Sequence, residues 1–387
     1  MYIIKFYKTL YYFYRYDSID CPYFDKNEYK DDILIHLYNI YLTFKLWDLP
    51  HYRNKTYGKD IYDNFYNLYI PYTGISLYYL VYTKYIALFS ILVLYPIISI
   101  YYYFTTNLDY SKKILLHPYN WFWIWRINCN LVHLTHTISK SKQYKYENKK
   151  IFLEKCVYLN IPVTSCIYED IILKNTNIEG GMGIHLYNNC FNNGDWIIQR
   201  KLTNSLFLQS FLPKDSPLST LRVITYKDKL FYKSSKPHIL SACLRAGLTK
   251  QKTDHTSILF NINIENGKIG KGTMNEEWYG KNTSFDDSDF VSNIALLKFD
   301  QNIRDKLTYH PEKGVNIDRK IPKFDKIKKI CTNAHLKLLN DIPIVGWDIG
   351  LTKEEDIVIL EINISCNLFC ANYNKQNYYK FLKTYYI

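Results

Sequence analysis

Three side chains with oxygen ligands lie on a predicted hairpin late in the sequence. The stretch GWDIGLTKEEDIVILEIN, residues 346–363, contains two runs of strand-forming residues separated by a polar Lys-Glu-Glu-Asp turn. A four-residue turn centred in that segment places Leu351 opposite Val358 and Asp348 opposite Glu361. Residues that lie opposite each other share a face of the sheet, so the two carboxylates are expected to be neighbours.

An asparagine is expected to join the two carboxylates. Side chains alternate along a strand, so Asn363 shares the face of Glu361, while Gly346 and Gly350 flank Asp348 and leave space above it. Hard divalent cations bind carboxylate and amide oxygens and keep positions for water and for substrate phosphates. The pattern predicts that Asp348, Glu361 and Asn363 bind Mg²⁺ or Mn²⁺, and it leaves open whether a nucleotide site accompanies the metal ion.

A lysine and a glycine cluster follow one another in DIILKNTNIEGGMGIHLY, which predicts a strand ending in Lys174, a loop and a second strand. Gly180, Gly181 and Gly183 permit positive φ angles and close approach of the backbone, so their N–H groups can surround phosphate oxygens. The loop matches neither standard phosphate-binding glycine motif. A glycine-rich hairpin turn beside a solvated lysine explains the same string.

Two arginines lie within segments that are predicted to form strands, Arg222 in STLRVITY and Arg245 in ACLRAG. An arginine within an apolar strand needs an anionic partner, which is either a structural carboxylate or a phosphoryl group.

Two other segments suggest supporting elements. Before the two arginines, the apolar run in DWIIQRKL can line an adenine ring near Gln199, or form an ordinary strand. Ahead of the hairpin, KFDKIKKICTNAHLKLLN has apolar residues at helical spacing and predicts a core helix that supports the hairpin. Those residues are Phe324, Ile327, Cys331, Ala334 and Leu338.

Length and composition indicate a folded protein with an anionic partner. The chain has 387 residues, a net charge of +13 and 48% hydrophobic residues, enough for two or three compact units. Nucleotide phosphate, an anionic membrane and nucleic acid all fit the charge, but recognised nucleic-acid motifs are absent, so no nucleic-acid partner is expected. Nine cysteines without a C-x-x-C pair predict free thiols in a reducing compartment. The H-x-x-H pair formed by His133 and His136 predicts a structural role.

One hydrophobic region precedes this second half. Residues 64–108 contain one charge, Lys84, and residues 85–104 form an uncharged run long enough to cross a bilayer. A buried core helix and a hairpin of two spans are the alternatives. Lysines at 112 and 113 follow the run, so the positive-inside tendency predicts a membrane-anchored protein with its C-terminal part in the cytosol. A soluble cytoplasmic protein is the alternative localisation.

In order along the chain, these residues resemble the ATP-grasp superfamily, and more narrowly its sugar-transfer-associated group, which is related to α-L-glutamate ligases. The motifs that carry the likeness are STLRVITY, ACLRAG, YHPEKGV, GWDIGLT and ILEIN. The resemblance implies an α+β fold in which two α+β subdomains grip ATP. It assigns ATP binding to Lys149, Lys174, Gly180, Gly181, Gly183 and Gln199, phosphate and acyl-phosphate contacts to Arg222 and Arg245, and Mg²⁺ to Asp348, Glu361 and Asn363. Where the family has an asparagine and a Gly-Gly pair after the second arginine, this chain has KTDHTSILF with Asp254.

The hydrophobic run and the extent of the resemblance divide the chain, and the resemblance implies an activity. Residues 1–63 have no assigned role, 64–108 form the hydrophobic segment, 109–147 an aromatic and basic connector, 148–372 the ATP-grasp domain and 373–387 a tail. The implied activity is an ATP- and Mg²⁺-dependent carboxylate–amine ligase working through an acyl-phosphate. Its substrates would be small or glycan-linked carboxylates and amines in surface polysaccharide assembly. Phosphoryl transfer to a hydroxyl and nucleotide binding without turnover are the alternatives.

Overall fold

The structure, a computed structural model, describes residues 2–24, 33–49, 53, 57–66, 77–105, 111, 115, 132–177, 182, 184–227, 235–254, 257–274, 307–354, 356–364 and 383. Helices dominate the first part of the chain and antiparallel sheets the second. The predicted α+β class is therefore confirmed.

Helices in the first part expose one face and bury the other. They are Tyr2–Tyr16, Ile33–Lys45, Tyr57–Phe65, Leu77–Tyr82, Lys84–Phe89, Tyr95–Thr105 and a helix over 132–139. In the helix Tyr2–Tyr16, Phe6, Thr9 and Phe13 recur at helical spacing and are buried. The ring of Phe13 meets Tyr38 of the next helix edge to face, with centroids 5.1 Å apart.

The hydrophobic run folds as one long helix with a π-helical turn, Ser90–Leu94, in its middle. Pro96 has no N–H to donate to the carbonyl of Leu92, so the regular hydrogen-bond ladder cannot continue there. The Tyr95 N–H bonds to the carbonyl of Ser90 instead, and the Tyr7 hydroxyl donates to Leu92 O at 2.6 Å. Among the described residues, Lys84–Thr105 is the one helix long and apolar enough to cross a membrane, a property that core helices of soluble proteins share.

Strands organise the second part of the chain. The described strands are β1 Cys166–Ile167, β2 Ile171–Lys174, β3 Ile184–Tyr187, β4 Ile198–Gln199, β5 Thr220–Tyr226, β6 His238–Ala246, β7 Ile258–Ile262, β8 Ile269–Met274, β9 Ile344–Leu351 and β10 Ile357–Asn363. One six-stranded antiparallel sheet has the order β10-β9-β5-β6-β7-β8. Two small two-stranded sheets, β1–β4 and β2–β3, precede it along the chain. Short helices at Lys149–Tyr158 and Leu206–Gln209 complete this part.

The helix Phe324–Leu338 packs on one face of the large sheet, against β5 and β6. Its five residues predicted to be core are all buried, so that prediction is confirmed. A polar chain is buried in the same layer: Trp347 Nε1 donates to Thr225 Oγ1, which lies 2.7 Å from His335 Nδ1, and His335 Nε2 lies 2.7 Å from Ile342 O. Every partner is satisfied, which is what a buried polar group requires.

The predicted C-terminal hairpin is confirmed, but part of its register is wrong. Asp348 pairs with Glu361 as predicted, whereas Leu351 pairs with Ile357 and not with Val358. The register shifts between Ile359 and Glu361, because one extra residue, Leu360, is inserted there as a β-bulge. The bulge restores the expected pairing for the second half of the hairpin.

Candidate functional site

Charged side chains form a row on the sheet face opposite the helix Phe324–Leu338. Arg222 pairs in register with Asp348, and Asp348 with Glu361, so residues from β5, β9 and β10 lie side by side. Arg245 lies two residues along from the β6 partner of Arg222, on the same face. The alternation of the strands therefore gathers two predicted anion-binding arginines and two predicted metal ligands.

Asp348 is the centre of this cluster and is only 4% exposed. Arg222 donates to both carboxylate oxygens of Asp348, from Nε to Oδ1 and from Nη2 to Oδ2, the second at 3.1 Å. Arg245 Nη1 lies 3.4 Å from Oδ2, and Asn363 Nδ2 donates to the same oxygen at 3.3 Å. A bidentate pair of this kind fixes the geometry of both side chains.

A second carboxylate, Asp254, completes the arginine network. It accepts from Arg245 Nη2 at 2.8 Å through Oδ1 and from the Thr220 hydroxyl through Oδ2. Arg245 thus bridges Asp254 and Asp348. The sequence marked Asp254 only as the residue near a departure from the family pattern, and its pairing with Arg245 was not foreseen.

Burial and the guanidinium groups set the pKa values in this cluster. Burial raises the pKa of Asp348, but the charge and hydrogen bonds of Arg222, together with Arg245, outweigh burial and hold that pKa below its usual range. Burial raises the pKa of Asp254 more than Arg245 and Thr220 lower it. Burial also raises the pKa of the Cys243 thiol to about 11, despite the two arginines. Cys243 is therefore a neutral thiol at pH 7 and not a nucleophile.

Glu361 links the row to the helix Lys149–Tyr158. Lys149, the first residue of that helix, forms an ion pair with Glu361, Nζ to Oε2 at 3.2 Å. The Asn148 side chain caps the helix by accepting from the Ile151 N–H. At the end of β10, the Ile364 N–H donates to Glu147 Oε1 at 3.0 Å. The chain just before this helix is thereby joined to the hairpin of β9 and β10.

A cleft of about 1170 Å³ lies against Lys149 and Glu361. Gln199 of β4 and Leu360 of the bulge also line it. Six basic and two acidic residues line the cleft. The basic residues are Lys149, Arg200, Lys201, Lys214, Lys252 and Lys313, and the acidic ones are Asp215 and Glu361. An excess of positive charge in a concave site attracts anions.

Asn204 holds the loop that forms one wall of the cleft. Its Nδ2 donates to Pro217 O at 2.9 Å, and its Oδ1 accepts from the Ser219 N–H at 2.8 Å. A bridge to Thr352 joins the same residue to the turn after β9. The wall is therefore fixed to β5 and β9, the two strands that carry Arg222 and Asp348.

The predicted site residues fall into three groups. Arg222, Arg245, Asp348, Glu361 and Asn363 share one sheet face, and Lys149, Gln199 and Glu361 line the cleft. Lys174 ends β2 as an exposed side chain, and the described residues around the cleft do not include it. Gly180, Gly181 and Gly183 lie outside the described residues. The sequence did not predict the other basic residues of the cleft. Arg200 and Lys201, adjacent in DWIIQRKL, were the only neighbouring pair among them that could have indicated a basic site.

The chemistry of the donor set fits a hard divalent cation that arrives with phosphate. Asp348, Glu361 and Asn363 offer oxygens, the ligands that Mg²⁺ prefers. The three carboxylates here, those of Asp254, Asp348 and Glu361, are balanced by Arg222, Arg245 and Lys149. A neutral cluster attracts a bare divalent cation weakly, so a metal ion held here would need further negative charge from a ligand, such as phosphate oxygens.

The described cysteines are free, and His133 is buried. Cys21, Cys156, Cys166, Cys190, Cys243 and Cys331 are free thiols, as predicted. The predicted structural role of His133 agrees with its burial and with its Nδ1 lying 2.7 Å from Leu49 O. Within the described part of the chain, no three residues of the His, Cys, Asp and Glu types form a group that could hold a metal ion. The proposed Mg²⁺ set differs because its third ligand is an asparagine.

Comparison of the chain with protein-family models, curated proteins and solved structures gave no match. The likeness to the ATP-grasp superfamily therefore rests on the quoted sequence motifs alone.

Proposed function

We propose that this protein is an ATP- and Mg²⁺-dependent carboxylate–amine ligase of the ATP-grasp type. The observation that carries the proposal is the junction of two features at Glu361. This residue belongs to the Arg222–Asp348–Glu361 row and also lines the basic cleft with Lys149 and Gln199. A nucleotide in the cleft would have its phosphates at the row.

The size and charge of the cleft support a nucleoside triphosphate as the ligand. Small-molecule sites occupy roughly 300–1,000 Å³, and the cleft, at about 1170 Å³, leaves room for an acceptor beside the nucleotide. The six basic residues favour an anion with several negative charges. Leu360 supplies an apolar surface, and Gln199 a polar group, for a base.

Asp348, Glu361 and Asn363 would hold the metal ion. The chemistry that Mg²⁺ would supply there is positive charge to offset the negative charge that develops in phosphoryl transfer. Because the surrounding cluster is neutral without phosphate, we expect the metal to bind as the nucleotide complex. The buried Arg222–Asp348 pair would keep one ligand in a fixed orientation before the complex arrives.

The side chains of the row suit a reaction that needs positioning and charge and no protein nucleophile. An oxygen of the acceptor carboxylate would attack the γ-phosphorus, the bond from that phosphorus to the bridging oxygen of ADP would break, and an acyl-phosphate would form. An amine nitrogen would then attack the acyl carbon, lose a proton and expel inorganic phosphate. Lys149 and Arg245 would stabilise charge on the transferred group. The neutral Cys243 thiol agrees with a reaction that uses no protein nucleophile.

Binding of ATP by the full chain tests the proposal, measured by calorimetry with and without Mg²⁺. We expect binding in the presence of Mg²⁺ and at least a tenfold loss of affinity in Glu361→Gln, because the variant removes one metal ligand and the partner of Lys149. The matched control is Glu265→Gln, an exposed residue in the turn between β7 and β8, which should bind as the wild type does. Equal affinities for Glu361→Gln and wild type would refute the site.

The product of turnover separates ligation from kinase-like transfer. Incubation with ATP and candidate pairs of carboxylates and amines should release inorganic phosphate together with an amide. A stable phosphoester on a hydroxyl acceptor would instead assign the same site to phosphoryl transfer. Glycan-linked carboxylates are the first acceptors to try, since the resembled group is associated with polysaccharide assembly.

A further inference from the structure

A continuous apolar stripe runs along the helix Lys84–Thr105. Exposed side chains recur every three or four residues, so they lie on one side of the helix: Tyr85, Phe89, Val93, Ile97, Ile100 and Phe104. No Asp, Glu, Lys or Arg lies between residues 85 and 105. The helix has 22 residues, and a rise of about 1.5 Å per residue makes the helix roughly 33 Å long. We call these six residues the apolar stripe.

The opposite side of this helix is buried in the protein. Ala87, Ile91 and Ile98 are buried there. The helix Tyr2–Tyr16 contacts the long helix at two levels: the Tyr2 hydroxyl lies 3.1 Å from Ser99 Oγ, and the Tyr7 hydroxyl donates to Leu92 O. Residue numbers rise along one helix as they fall along the other, so the two helices are antiparallel.

This arrangement places a lysine beside the middle of the apolar helix. Lys5 lies between Tyr2 and Tyr7, so it is level with the segment between Leu92 and Ser99, which includes the midpoint of the helix. If the helix crossed a bilayer, Lys5 would lie at the depth of the hydrocarbon centre. A lysine side chain is strongly disfavoured at that depth. Packing against the helix Tyr2–Tyr16 therefore disfavours a transmembrane orientation.

The neighbouring helix presents groups that suit the membrane interface. The exposed side of Tyr2–Tyr16 carries Tyr11, Tyr14, Lys8 and Arg15, and the helix has no acidic residue. Tyrosine rings and the aliphatic stems of basic residues bind at the boundary between headgroups and acyl chains, while cations attract anionic lipids. Tyr7 is itself partly exposed and contacts Leu92, so the exposed sides of the two helices adjoin.

We propose that the apolar stripe lies flat in the surface of an anionic membrane and does not cross it. The helix Tyr2–Tyr16 lies beside the stripe, with Lys8 and Arg15 at the level of the lipid headgroups. The protein is attached to one leaflet, and both ends of the chain stay on the same side.

Flotation of the full chain with preformed vesicles tests this attachment. Vesicles of phosphatidylcholine alone and of phosphatidylcholine with phosphatidylglycerol are the probes. We expect stronger binding to the anionic vesicles, and at least a tenfold loss of binding in the double variant Phe89→Glu/Ile97→Glu. Both side chains are more than half exposed, 57% and 58%, so the change leaves the packed side of the helix intact. Leu186→Glu, equally apolar and exposed on β3, is the matched control and should bind normally.

Orientation is measured on vesicle-bound protein with a tag at each terminus. We expect added protease to remove both tags and alkaline carbonate to release the protein. A protected tag or resistance to carbonate would show a spanning helix and overturn the proposal. Failure of the wild type to bind, with a change of oligomeric state in the double variant, would also overturn it by assigning the stripe to a second copy of the chain. The assay needs no nucleotide, so its failure leaves the proposed ligase activity untouched.

Discussion

Acidification from pH 6.5 to pH 4 should destabilise the large sheet by about 3 kcal/mol through His335 alone. This side chain is fully buried between the helix Phe324–Leu338 and the sheet. Its Nε2 bonds to Ile342 O and its Nδ1 to the Thr225 hydroxyl, which itself accepts from Trp347. Because Ile342 O can only accept, Nε2 must donate, and in the neutral ring Nδ1 accepts from the Thr225 hydroxyl. A second ring proton on Nδ1 would turn that hydroxyl away, toward Val345 O at 3.5 Å.

The magnitude follows from the shift in pKa. Burial, opposed in part by the hydrogen bond to Ile342, lowers the pKa of His335 to about 4, against 6.5 for an unperturbed histidine. Between these two values the unfolded chain binds a proton that the folded chain does not. Stability is therefore complete above pH 6.5, falls as the pH drops and levels off below pH 4. A fall in pKa from 6.5 to about 4 is worth about 3.5 kcal/mol in full, of which about 3 kcal/mol is lost between pH 6.5 and pH 4.

Urea unfolding at several pH values between 4 and 7 measures the effect, with His335→Gln as the comparison. Glutamine keeps a donor for Ile342 O and cannot titrate. The variant should lose less stability on acidification than the wild type, by about 3 kcal/mol. Other titrating groups, including the buried His310, contribute equally to both proteins and cancel. Parallel losses in the two proteins would refute the depressed pKa.

Two further perturbations test the packing of the site and the sheet. Arg222→Met should cost about 3–5 kcal/mol of stability, because it leaves Asp348 as a buried carboxylate with one remaining guanidinium, and Arg222→Met/Asp348→Leu should recover much of the loss in thermal unfolding. No recovery in the double variant would contradict that reasoning. Gly272→Ala should destabilise by about 1–3 kcal/mol, because its Cβ would lie 2.2 Å from the Phe260 ring. Gly58→Ala, at a helical position where a Cβ would meet open space, should instead raise the free energy of unfolding by about 0.5–1 kcal/mol. If both glycine variants changed stability in the same direction, contacts of the new Cβ would not explain the change.

Local patterns determined which elements form. Spacings of three and four residues predicted the helix Phe324–Leu338, and β-branched runs predicted the hairpin of β9 and β10. Both signals depend on which face of a single element is buried, and that information is contained in neighbouring residues. The α+β class follows from the same signals.

The pairing of Asp348 with Glu361 was predicted correctly from a register that was wrong near the turn. The bulge at Leu360 corrected the offset, and its position depends on contacts between strands. A Cβ on Gly350 would lie 3.4 Å from the Leu360 side chain, an ordinary contact distance, so Gly350 and the bulged residue are neighbours across the two strands. Alternation within one strand cannot show such a contact.

The sequence by itself determined that Arg222 and Arg245 need anionic partners, since a guanidinium inside an apolar strand is costly without one. Only the tertiary structure decided which partners they have: Asp348 is 126 residues away from Arg222 along the chain, and Asp254 joined the network without a prediction. The cleft has the same origin, because Lys149, Lys252 and Lys313 converge on it from separate segments. Charges that are distant in sequence meet only when the sheet order and its register are fixed, and that order results from packing over the whole chain.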